Sequence, residues 1–188
     1  MTAPETETAP PLAGTWTADA VHTDIVFKVR HMGVGKSSGS FALQSGTLTF
    51  AGDTVDTGSV TASIDAASVQ TKNDMRDNHV KSADFLDTEN HPTIDFVSTG
   101  IKDFDGETFV LVGNLTIRGV TQPIELASEV GGVGVDAFGK TRAGFSAVGS
   151  FNRKDFGVSF SAAFGVGNSV VSDKVEIAID IEFVKDEA

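Results

Sequence analysis

A chain of 188 residues with 40% hydrophobic residues is sized for one domain with a substantial core, which excludes a disordered polymer. Its net charge of −12 repels phosphate backbones, so a nucleic-acid partner is not expected. The absence of cysteine removes disulfides, thiolate nucleophiles and Cys-ligated zinc together.

Residues 1–13 are rich in Pro, Thr and Glu and are expected to form a disordered tail ahead of a single domain at 14–185. The tail holds no Lys or Arg and no apolar run, so it does not read as a signal peptide. The expected location is cytoplasmic, or periplasmic or secreted if a leader has been trimmed. No stretch of about 18 apolar residues exists to span a bilayer as a helix.

From Thr15 the pattern alternates with period two, which places successive side chains on opposite faces of a strand. Ile25, Phe27 and Val29 share one face, and Lys28 and Arg30 the other. The alternation returns at Leu48 and Phe50, at Val60 to Ile64, at Ile94 and Phe96, and at Phe109 to Ile117. It returns again at Phe145 to Phe151 and at Val175 to Phe183. Turn signals such as Asp105-Gly106, Gly131-Gly132 and Phe138-Gly139 lie between these runs. Many strands with short turns fit a sandwich or a barrel. Long strands, and glycines on the inward parity (Gly39, Gly46, Gly113, Gly149), favour the barrel, with room for bent strands or a closely approaching ligand. Near residues 73–86 the alternation fails, and Met75 and His79, four apart beside Arg76 and Val80, predict a short helix.

Several motifs fail as chemistry. Gly33-Val34-Gly35-Lys36-Ser37 lacks the first glycine of a phosphate loop, having Arg30 there, and reads as a hairpin turn. Gly131 to Phe138 matches one copy of a calcium β-roll repeat that works only as a stack. His22, His31, His79 and His91 lack zinc-pair spacing. Ser146 is not in a nucleophile elbow, and no base is paired with it. Neither metal nor cofactor is expected, and the chain does not read as an enzyme.

Five blocks in order resemble the YceI-like family of lipocalin-like barrels. They are Trp16 with Asp19, His22, Ile25, Phe27, Val29 and His31; Arg76-Asp77-Asn78-His79-Val80-Lys81 through Asp87; Pro92-Thr93-Ile94-Asp95-Phe96; Gly113-Asn114-Leu115-Thr116-Ile117 through Pro123; and Gly144-Phe145 through Gly157. The resemblance implies an all-β, eight-stranded antiparallel lipocalin-like barrel with a short helical segment. It implies a channel for a polyisoprenoid, an isoprenoid quinone or a similar long-chain lipid, and possible homodimers.

On that reading the inward sets form an apolar tube. Its wall comprises Ile25, Phe27, Val29, Phe41, Leu48, Ile64, Ile94, Phe96, Leu115, Ile117, Phe145, Phe151, Ile177 and Ile179, with His31 towards one end. Met75, Val80 and Phe85 are expected to face inward from the helix, and Arg76, Asp77, His79 or Arg153 to meet a polar head group. The expected role is transport, storage or sequestration of the lipid. The alternative is an interaction or stress-response module whose core is plugged by its 14 Phe rings.

Overall fold

The computed structural model describes residues 10–164 and 168–187. Eight strands carry the alternation into a closed antiparallel barrel. They are β1 (Gly14–His31), β2 (Gly35–Phe50), β3 (Gly58–Gln70), β4 (Thr93–Lys102), β5 (Thr108–Ile117), β6 (Val120–Val135), β7 (Thr141–Asn152) and β10 (Val171–Lys185). Two short strands, β8 (Ala163–Phe164) and β9 (Asn168–Ser169), pair in the connection before β10. The order around the wall is β1-β10-β7-β6-β5-β4-β3-β2, so β1 and β10 close the sheet and remove its edges. The helix is α1 (Asp74–Lys81), capped by the Asn73 side chain accepting from the Arg76 amide.

Turn chemistry fixes the strand register. Ile117 pairs with Val120 across a two-residue turn in which Arg118 (φ 51°) and Gly119 (φ 74°) are both left-handed. That conformation matches the twist of the flanking strands and favours glycine at the second position. The Gly33 and Gly139 segments also turn, as expected. The Gly131-Gly132 pair does not: it lies inside β6 at a register shift between Val130 and Gly132. A bulge with Gly132 at φ 145° bends the strand there, and the turn comes later, at Asp136–Lys140.

The interior has two apolar layers. One gathers Ile25, Leu43, Ile64, Ile94, Phe96, Leu115, Ile117, Ile124 and Leu126 around the mid-barrel. The other packs Leu12, Trp16, Leu48, Phe50, Val55, Phe109, Ala143 and Phe183 across one end. Trp16 is fully buried, donates its indole N–H to the Leu12 carbonyl at 2.8 Å and meets Phe50 edge-on. Of the segment expected to be a tail, residues 1–9 lie outside the described residues, whereas Leu12 belongs to this plug.

Two of the inward glycines, Gly39 and Gly113, have a different use from the one expected. A methyl group at Gly39 would strike the Phe27 ring, and one at Gly113 the Phe96 ring. These glycines make room for aromatic rings of the neighbouring strands, not for a ligand.

Candidate functional site

Strands up to 18 residues long leave a tall space inside the barrel. The cavity is about 520 Å³, within the roughly 300–1,000 Å³ common for small-molecule sites. On β10 the alternating inward residues of its lining run from Val175 to Phe183, with Val171 beyond them towards the mouth. At about 3.3 Å per residue and a tilt of about 40°, that is roughly 20 Å of lumen. One end is sealed, because Leu48, Phe50, Val55, Phe109 and Phe183 are all buried. At the other end the lining includes the exposed residues His31, Ser38, Arg76 and His79, which define a mouth beside α1.

The period-two reading located most of the wall. Ile25, Phe27, Val29, Phe41, Leu48, Ile64, Ile94, Phe96, Leu115, Ile117, Phe145, Phe151, Ile177 and Ile179 line the cavity. His31, Arg76, His79, Val80, Phe85 and Arg153 line it towards the mouth. Two expected residues do not. Met75 is 83% exposed, because it sits on the solvent side of a helix that buries none of its residues. Asp77 turns to β3 instead, where its carboxylate accepts from the Thr71 amide at 2.8 Å and from the Thr71 hydroxyl. Sequence reasoning missed Leu43, and Ile124 and Leu126 on β6, although all three obey the same parity. It also missed Val158 and Phe160, which lie in an aperiodic connection.

The polar groups at the mouth are held by the protein itself. Arg76 donates through Nε to Thr71 Oγ1 at 2.7 Å and through Nη2 to the Thr71 carbonyl at 2.6 Å. His79 Nε2 lies 2.8 Å from Asp84 Oδ2, and its ring sits edge-on to Phe85 and Phe160. Arg153, 4% exposed, donates to the Ser172 and Val158 carbonyls and to Asp173 at 3.1 Å. Asp173 is held below the usual carboxylate range chiefly by Lys154, with Arg153 assisting. The arginine thus ties the segment after β7 to the start of β10, because buried carbonyls need donors.

A second ionisable cluster lies away from the mouth. Asp19, His22 and Glu182 come close enough to share a cation. Arg142 already supplies that charge: its Nη1 is 2.8 Å from Asp19 Oδ2 and 3.2 Å from Glu182 Oε2, and its Nε is 2.7 Å from Asp136 Oδ2. Arg142 and then His22 hold Asp19 far below the usual carboxylate range.

The YceI-like domain model matches residues 16–183, which span all eight strands of the barrel wall and the helix at its mouth. The chain belongs to the YceI-like domain family. A UPF0312 protein of Pectobacterium carotovorum is 37% identical over 164 residues, covering 87% of this chain and 82% of that protein. The Campylobacter jejuni YCEI protein is similar in crystal structure, with a TM-score of 0.61, 32% identity, and coverage of 69% of this chain and 73% of its own. A polyisoprenoid binding domain from Saccharophagus degradans shares the fold with a TM-score of 0.68 at 16% identity, covering 91% of this chain and 98% of its own. The YceI-like barrel here is thus the expected eight-stranded, lipocalin-like form.

Proposed function

We propose that this protein binds one long-chain, weakly polar lipid, of isoprenoid or isoprenoid-quinone type, inside its barrel and carries or stores it in solution. The observation that carries the reading is the roughly 520 Å³ apolar cavity, sealed at one end and reaching exposed residues at the other. The Phe rings line this space without filling it, which counts against the plugged-core alternative. The shared fold of the polyisoprenoid binding domain supports an isoprenoid chain.

Burying each chain CH₂ is worth about 0.8 kcal/mol, so some 20 carbons give about 16 kcal/mol gross. Lost rigid-body freedom and ordering oppose this by about 4–15 kcal/mol. The apolar term does not distinguish among chains of similar length. Discrimination therefore falls to the mouth, where Arg76, His79 and Arg153 already have partners within the protein. That arrangement favours an uncharged head group over a diphosphate, which would need to displace those partners. The role is binding, not catalysis.

Native mass spectrometry of freshly purified protein, followed by organic extraction, tests the reading. A defined adduct that extracts as a neutral long-chain lipid is the expected result. A clean apo mass that persists after incubation with prenyl quinones overturns it. Phosphate released from a prenyl diphosphate would instead show an enzyme.

A further inference from the structure

The charges are distributed unevenly along the barrel axis. The turns at the mouth end lie between β1 and β2, β3 and β4, β5 and β6, and β7 and β10. Segments 30–36, 65–95, 117–121, 152–164 and 168–174, which make up that end, carry nine basic and nine acidic residues. The rest of the chain from residue 10 on carries five basic and fifteen acidic residues. The mouth end is therefore neutral in sum, while the remainder, sealed end included, holds the negative charge.

Each end also presents apolar side chains to solvent. At the mouth end these include Val34, 87% exposed at the tip of the β1–β2 turn, and Met75, 83% exposed on α1. At the sealed end they are Phe138, 90% exposed in the β6–β7 turn, and Val135, 61% exposed. Single exposed apolar residues are ordinary, and these do not by themselves choose an end. The charge does. Biological bilayers carry anionic lipid and repel the sealed end.

We infer that the mouth end docks on a lipid bilayer surface, with Val34 and Met75 inserting at the interface. The inference rests on the reading of the lumen as a lipid site, since the bilayer is where such a lipid resides. β2 spans 16 residues, about 38 Å along the axis at a tilt of about 40°. With the mouth on the surface, much of the acidic charge lies several Debye lengths away, at about 8 Å each in physiological salt. Repulsion is then mostly screened. The opposite orientation presses the acidic turns against the head groups and is disfavoured. The docked pose also joins the apolar lumen to the acyl region without taking a lipid tail through water.

The chain has no cysteine, so a single introduced thiol can be labelled without background. V34C and F138C, each carrying an environment-sensitive fluorophore, are mixed with phosphatidylcholine vesicles containing phosphatidylglycerol at physiological salt. A blue shift and intensity gain at position 34, with none at 138, is expected. An equal response at both positions, a response at 138 alone, or silence at both overturns the inference. In a second measurement, the double variant V34E/M75E partitions onto the same vesicles at least tenfold more weakly, about 1.4 kcal/mol, while F138E partitions as wild type. Unchanged partitioning of V34E/M75E also overturns it. Lipid content measured by extraction separates the two readings. An empty lumen with insertion at position 34 sinks the lipid-site reading and leaves docking standing. A loaded lumen with no insertion sinks docking alone.

Discussion

Arg142 stands among three carboxylates drawn from β1, the β6–β7 turn and β10. It holds Asp19 and Asp136 below an unfolded-state carboxylate of about 3.9. Groups depressed in the folded state add stability above the unfolded value, and that stability is lost as pH falls through the folded value. Arg142→Met is therefore expected to lower the melting temperature at neutral pH. The gap from wild type should close in strongly acidic buffer. Thermal unfolding of both proteins across the acid range checks this, and a gap that is constant with pH would place the effect in packing instead. Gly113 makes a second case at this scale. Gly113→Ala drives a methyl group into the Phe96 ring and towards the Val97 carbonyl oxygen, an overpacking expected to cost about 1–3 kcal/mol by denaturant unfolding. Neither role was legible in the sequence. Arg142 meets Asp19 across 123 residues, and the need for Gly113 to lack a side chain depends on a ring in the next strand.

The helix α1 is only eight residues long, and such a helix is marginal without support from its surroundings. That support comes from Asp77 and Arg76, which grip Thr71 at the end of β3 from two sides. Hydrogen bonds to a charged group are worth about 1.5–3 kcal/mol, so Asp77→Asn should raise local opening of residues 74–81 roughly tenfold or more. Hydrogen exchange across that segment measures it, with no matching change expected in β10. Strands were far easier to read than this latch, since period two marks each buried face directly. Even there, β6 yielded its signal poorly: Gln122 and Ser128 interrupt the apolar set around Ile124 and Leu126. The break in alternation located the helix. It did not reveal that Met75 faces water, because a helix of little more than two turns carries too few apolar residues to define a buried side.

At the scale of the whole barrel, one end is sealed by a dense apolar layer and the other is ringed by groups already bonded within the protein. Phe96→Glu places a carboxylate in the middle of the lumen wall, and bound lipid should fall below detection by extraction. Ala147→Phe is the companion variant, filling the same lumen without burying a charge. If both variants keep their lipid, the ligand lies outside the barrel. Alternation left a sandwich or a barrel open, the length of the strands favoured the barrel, and the eight strands followed only from the family resemblance. The sealed floor was not legible, because it draws on Leu12, Val55 and Phe183 from distant parts of the chain. The floor also makes the protein its own optical gauge. Its one tryptophan sits in that layer against Phe50, which lines the lumen, and the chain has no tyrosine to add a second emitter. Tails too short to reach Phe50 should leave the emission unchanged, and tails that touch bottom should alter it. A titration with prenyl chains of graded length would then report, as an abrupt onset, how far down the tube each molecule extends.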